Sequence, residues 1–200
     1  AVGDGKENGL EGHALRRLFG RPPWDLTFFS NCNPRGSNII ERSVGQLREA
    51  QLFSMAGDKD KDALALAIAK RLNQLEGTAP VWDLKLEDAG EGWARTSMLI
   101  RDDMLNGLRT AHGGMIFALA DTAFAYACNS RNVATFAQSA TISFLSAGKP
   151  GEKLTATARE DAAVGRTGVY TVSVTGEDGR VVAIFTGLSR TAGGPVIETA

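Results

Sequence analysis

The sequence predicts an α+β fold, an antiparallel β-sheet wrapped around one long central helix, and three observations carry that expectation. Residues 115–128 form a run that is apolar at nearly every position, long enough for about four helical turns. Four β-like segments follow it, at 135–145, 153–160, 168–175 and 181–189, and two more precede it, at 81–86 and 93–100. A helix apolar on nearly every side must be buried all round. Strands curled about it satisfy that need.

Taken in order, the elements begin after residue 54. The stretch 1–54 shows no sustained period of 2 or 3.6, and mixes glycine-rich pieces with Arg16-Arg17, Pro22-Pro23-Trp24 and Asn31-Cys32-Asn33-Pro34. The methionines are Met55, Met98, Met104 and Met115, and the chain begins with Ala1. The expectation is a disordered leader or an expression-derived extension over 1–54, with Met55 the natural start and 55–200 the folded domain. A genuine but poorly ordered extension is the alternative, and no chemistry is assigned to it. From there Asp62 is placed to cap a helix whose Leu64, Ile68, Leu72 and Leu75 share one face, ending at Gly77. The strands 81–86 and 93–100 join through the Gly90/Gly92 turn. The later strands are separated by Gly148-Lys149-Pro150-Gly151, Gly165-Arg166-Thr167-Gly168 and Glu177-Asp178-Gly179-Arg180, the Asp-Gly pair being a strong hairpin signal.

Composition narrows the function. The chain has 200 residues, 43% hydrophobic and 22% charged, with a net charge of −1 and interspersed signs. That argues against a nucleic-acid or membrane-surface partner. No stretch reaches the length of a membrane span. Two cysteines, Cys32 and Cys128, with the second in an apolar run, read as reduced thiols and suit a cytoplasmic protein. No His/Cys/Asp cluster has metal-ligand spacing, so no metal is expected.

One residue disagrees with its surroundings. Asp121 lies inside the apolar helix, and no Lys or Arg stands three or four positions away to neutralise it. A carboxylate buried without a partner costs several kcal/mol. It is a structural hydrogen-bonding group, a cap at a helix break, or a catalytic carboxylate in a pocket, and the last is favoured. The helix start is the second feature. Gly113 and Gly114 allow close approach to the backbone, and first-turn N–H groups favour developing negative charge, as on a polarised carbonyl. A plain tight turn would also call for glycine. Eight residues separate Gly113 from Asp121, roughly 12 Å along one helix. One carbonyl cannot touch both within a subunit. Two such helices packed antiparallel across a two-fold axis would bring them together, so the spacing predicts a dimer with shared sites.

The stretch Met104-Leu-Asn-Gly-Leu-Arg-Thr-Ala-His-Gly-Gly114, followed by Phe117-Ala-Leu-Ala-Asp-Thr-Ala-Phe-Ala-Tyr-Ala-Cys-Asn-Ser130, resembles the phenylacetate-degradation thioesterases. The similarity continues through Thr141-Ile-Ser-Phe-Leu145, Gly151-Glu-Lys-Leu-Thr-Ala-Thr-Ala158, Thr167-Gly-Val-Tyr170 and Val182-Ala-Ile-Phe-Thr-Gly187, covering roughly 62–194. The resemblance implies a hotdog fold, dimers paired into homotetramers, and hydrolysis of acyl-CoA thioesters, with phenylacetyl-CoA and its ring-hydroxylated relatives as substrates. It implies Asp121 as the catalytic carboxylate, Gly113 as the N–H that polarises the carbonyl, and Asn106 as a group orienting the carbonyl or the water. His112 is expected to make a structural hydrogen bond beside the substrate, next to Gly114. Phe117, with Leu119, Phe124 and Tyr126, could line an acyl pocket or simply pack the core. Lys149, Arg166 and Arg190 are candidates for the CoA phosphates, with an ordinary solvated charge the favoured alternative for each. Coenzyme A is part of the substrate, and no separate cofactor is expected. No Gly-x-Ser-x-Gly elbow accompanies His13 or His112, which argues against an α/β-hydrolase. Other readings are a medium-chain acyl-CoA thioesterase, a hotdog enoyl-CoA hydratase using His112, and a non-catalytic acyl-CoA-binding module.

Overall fold

The computed structural model describes residues 58–198. The expected leader at 1–54, with Cys32, lies outside the described residues. Helix α1 runs through 58–75 and a short helix α2 spans Thr78–Trp82. Strands β1, Lys85–Gly90, and β2, Trp93–Leu99, follow. A 3₁₀ turn at Asp102–Met104 leads into helix α3, Gly113–Cys128. Strands β3, Thr135–Phe144, β4, Lys153–Val164, β5, Thr167–Thr175, and β6, Val181–Thr191, complete the sheet. Strand order is β1-β2-β4-β5-β6-β3, antiparallel throughout, with α3 packed across one face. No helix among the described residues is long and apolar enough to cross a membrane.

Alternation makes the inner face. Ala94, Thr96 and Met98 of β2 stand beside Leu154, Ala156 and Ala158 of β4, then Tyr170, Val172 and Val174 of β5 and Phe185 of β6, all buried. Small side chains on β2 and β4 bring α3 close, while rings fill the space toward β6. Phe124 meets Tyr170 edge-on at 5.3 Å and Phe185 at 5.7 Å, and Phe117 meets Phe185 edge-on at 5.3 Å. Burying each such ring contributes about 1.5–3 kcal/mol. At Gly187 an added Cβ would sit 2.8 Å from the Phe124 ring, so the strand has no side chain where the helix presses on it. Asn129 fastens the end of α3 to β3: its amide donates to the Ala125 and Thr135 carbonyls and accepts the Thr135 N–H, each at 2.9 Å.

Several sequence expectations need correction. Asp62 does not cap a helix, because helix already runs at 58; its carboxylate accepts the N–H of Glu91 at 2.8 Å instead. That helix ends at 75, and Gly77 caps α2. Val81 and Trp82 belong to α2 rather than to a strand, and β1 starts only after Asp83 turns left-handed, with φ 53°. Pro80 lies inside this helical turn, where its missing N–H costs nothing. Strand β4 runs four residues beyond the expected 160. The Asp178-Gly179 hairpin is present, Gly179 having φ 79° and Gly176 N–H donating to the Arg180 carbonyl.

The largest correction concerns α3. It is not buried all round in one chain: Gly114 is exposed, and Phe117, Ala118, Asp121 and Ala125 are only partly covered. These positions repeat at three- and four-residue steps and form one stripe. Beside them β3 is an edge strand with Phe136 66% and Phe144 52% exposed.

Candidate active site

The loop before α3 is built around Asn106. Its Oδ1 accepts the N–H of Leu108 at 2.9 Å and of Thr110 at 3.2 Å, and its Nδ2 donates to Thr110 Oγ1 at 2.9 Å. Backbone bonds between Asn106 and Thr110 and from Arg109 to Asn106 close the turn. The side chain expected to orient substrate thus shapes the loop, with one amide hydrogen left over. The His112 N–H bonds the Met104 carbonyl and the Ala111 N–H bonds the Gly148 carbonyl, which fixes the approach to the helix.

His112 is the N-cap of α3. Its Nδ1 accepts the Gly114 N–H at 2.9 Å, so the neutral ring carries its proton on Nε2, facing solvent. The N–H groups of Met115 and Ile116 both reach the His112 carbonyl. That leaves Gly113 as the first-turn amide without a partner among the described residues. It faces a cleft of about 360 Å³ lined by Asn106, Thr110, Ile116, Phe144 and Gly148 among others. The Phe144 ring lies over it, 3.1 Å from where a Cβ would stand. A lone N–H at the positive end of a helix, in a cleft walled by an aromatic ring, can donate a hydrogen bond to a carbonyl oxygen that gains charge.

Asp121 lies two turns further on, along the partly covered stripe. Burial raises its carboxyl above the ordinary aspartate range, and the nearby Glu76 carboxylate raises it further. No hydrogen bond to its side chain forms among the described residues, so it keeps its accepting capacity. A carboxylate in that state is suited to take a proton from water. Cleft and carboxylate are not joined in one chain: Asp121 does not line the cleft.

The remaining candidates separate. Phe117 packs on Phe185 in the core. Lys149 sits at the Gly113 end of the molecule, its Nζ 3.5 Å from Asp178 and its N–H on Glu152. Arg166 is at the other end: its guanidinium donates twice to the Thr191 carbonyl, at 3.0 and 2.6 Å. Thr191 is eight residues from Ala183, the β6 partner of Phe144, roughly 26 Å along the strand. Two residues escaped the sequence reading. Phe144 enters the sequence analysis only within the stretches 135–145 and 141–145, without a role, and Glu76 does not enter it. Neither carries a local signal.

Against known proteins, residues 108–183 match the thioesterase superfamily. Acyl-coenzyme A thioesterase PaaI of Escherichia coli (strain K12) is 45% identical over 106 residues, which cover 53% of this chain and 76% of that protein. The chain belongs to the thioesterase superfamily. It is a hotdog thioester hydrolase of the PaaI-like kind. The structure of the E. coli PaaI protein from the phenylacetic acid degradation operon superposes with a TM-score of 0.66 at 38% identity, covering 67% of this chain and 97% of that one. A Streptococcus mutans protein solved bound to acetyl-CoA has a TM-score of 0.54 at 26% identity, covering 56% of this chain and 90% of that one. The hotdog thioesterase architecture accounts for the six-stranded antiparallel sheet around α3, and its cleft at the start of that helix holds the unpartnered Gly113 amide.

Proposed function

We propose that this hotdog thioesterase hydrolyses acyl-CoA thioesters, phenylacetyl-CoA or its ring-hydroxylated relatives among them, as a step of aryl-acetate breakdown. The observation that carries the reading is the Gly113 N–H, the first-turn amide of α3 with no partner among the described residues, at the edge of a cleft. The Gly113 amide would polarise the thioester carbonyl. Asp121 would take the proton of a water whose oxygen attacks the carbonyl carbon, or attack that carbon itself to give a transient anhydride. Collapse of the tetrahedral intermediate breaks the C–S bond, and the CoA thiolate leaves without needing a strong acid. The cleft is lined by Ile116 and Phe144, an apolar setting for an aryl or medium-length acyl group.

Gly113 and Asp121 are separated along one helix by roughly 12 Å, so each site would combine Gly113 of one protomer with Asp121 of another. The chain offers a route to that assembly. Strand β3 has a free edge, and α3 runs antiparallel to it, starting near Phe144 and ending near Thr135. Pairing β3 with its own copy about a two-fold axis would lay the two α3 helices antiparallel. It would also carry Arg166 and Arg190 toward the other protomer's cleft. Pairing of dimers into a tetramer follows the same resemblance.

The test is thiol release from phenylacetyl-CoA and a medium-chain acyl-CoA, wild type beside Asp121→Asn. Wild-type turnover that falls about 10²–10⁴-fold in a folded variant supports the reading. Hydrolysis that survives the substitution removes Asp121 from the mechanism. No release from any acyl-CoA, with hydration of an enoyl-CoA lost on His112→Ala, would assign the hydratase instead; the imidazole's role as helix cap argues against that outcome.

A further inference from the structure

Asp121 has a neighbour delivered from a distant part of the chain. Glu76 follows α1, just before Gly77, and reaches across to α3. Its Oε2 accepts the Tyr126 hydroxyl at 2.7 Å and its Oε1 accepts those of Thr122, at 3.3 Å, and Thr78, at 2.8 Å. Asn73 completes the cluster by donating to the Tyr126 oxygen at 3.0 Å. Thr122 and Tyr126 stand four apart on one side of α3, with Asp121 next to the first of them. Tyr126 and Thr122 are buried, so their hydroxyls need acceptors, and two neutral oxygens would serve them as well as the two oxygens of a carboxylate do. The charge is therefore surplus to packing. Every donor to Glu76 is neutral, and no Lys or Arg pairs with it among the described residues.

We propose that Glu76 is a positioning residue of the hydrolytic site: clamped by Tyr126, Thr122 and Thr78, its carboxylate stands as a fixed, unpaired negative charge beside Asp121. This rests on Asp121 being the catalytic carboxylate. A like charge nearby makes a carboxylate hold its proton more tightly and act as a stronger base once deprotonated. The direction at Asp121 agrees, burial being the larger cause and Glu76 the second. Among the described residues, the titratable groups acting on or responding to Asp121 are Glu76, from the α1–α2 junction, and Cys128, from α3 itself. Burial pushes the Cys128 thiol up to about 12, so it carries no charge near neutral pH. The strands contribute none. Helix α1 thereby has a task beyond covering α3, since its docking sets where the charge stands.

Glu76→Gln removes the charge and keeps the shape: its one amide oxygen still accepts from Tyr126 or from Thr122 while the NH2 faces the other hydroxyl, so Tm is read beside activity. Two readouts are taken on the full chain: the acid limb of kcat/KM for thiol release, and the titration of Asp121 followed by ¹³C-carboxyl NMR, assigned with Asp121→Asn. The expected result is that both midpoints move to lower pH and kcat at neutral pH falls roughly threefold. Glu76→Asp keeps the charge but draws it back by one methylene, so it is expected to lower both midpoints by less than Glu76→Gln does, and midpoints that do not move at all would overturn the proposal even where the Gln variant folds poorly. Unmoved midpoints with a lowered Tm would overturn the proposal and leave Glu76 as an acceptor for buried hydroxyls. An NMR midpoint that moves while the acid limb stays would instead remove Asp121 from catalysis, and the proposal with it.

Discussion

Gly113 is the first residue of α3, and His112 before it is extended, with φ −63° and ψ 133°. That is where proline is tolerated in a helix and what a residue before proline prefers. Gly113→Pro therefore deletes the N–H that has no partner among the described residues, at a helix position that accepts proline, and its Cβ, 3.1 Å from the Phe144 ring, obliges that ring to turn aside. It should lower kcat about 10²–10³-fold, with a Tm loss no larger than that of Gly113→Ala, which meets the same ring and keeps the N–H. Far-UV circular dichroism beside the thiol-release rate checks this, and unaltered kcat would mean the amide does not serve the carbonyl. Asp121 gives a prediction of opposite sign. Its folded carboxyl sits above the ordinary value, so its ionisation opposes folding as pH rises through that raised value. Asp121→Asn should therefore raise Tm by a few degrees at neutral pH, a gain that shrinks as pH falls toward the ordinary aspartate range. At this scale much was legible. An unpartnered carboxylate in an apolar helix and a Gly-Gly helix start are local patterns. Glu76 was not legible, because it meets Tyr126 across 50 positions of sequence and looks like an ordinary helix-end charge.

Among elements, the turn joining β5 to β6 does more than reverse the chain. Arg180 donates to both oxygens of Glu152, at 2.7 Å each, and to the Ala147 carbonyl at 2.7 Å in the loop that lines the cleft. The Arg180 guanidinium beside buried Glu152 holds its carboxyl below the usual range. A depressed carboxyl contributes stability that is present above the ordinary Glu value and lost as pH falls through the folded one. Arg180→Ala should thus cost about 2 kcal/mol near neutral pH, and the difference from wild type should close in acid. Urea melts across pH check it, and a loss that does not change with pH would point to lost packing alone. The strands from β3 onward were readable because glycine-bearing turns separate alternating runs. The segment 81–86 misled because Val81 and Trp82 are good strand formers, yet left-handed Asp83 ends a helical turn there. Asp62 misled in the other direction: an acid before an apolar stripe resembles a cap, and only the fold shows that it reaches Glu91.

For the whole molecule, the partly covered stripe of α3 was the expectation that changed most. The sequence demands burial on every side, and one chain covers all but one. The shared site proposed above would make that stripe an interface, and mixing experiments can test it. Asp121→Asn and Gly113→Pro should each be inactive alone. Unfolded together and refolded, half the dimers would be mixed with one intact site in two, so about a quarter of wild-type activity should return. No recovery would mean that each chain completes its own site. Strand β3 has a further consequence, one of timing. Its ten residues carry no proline and no charge, so nothing on its outer edge repels another strand. A newly made chain that folds before meeting its copy is left with an adhesive border. Its yield at synthesis should depend on how soon that border is occupied, which makes the single chain, rather than the finished assembly, the species most exposed to aggregation.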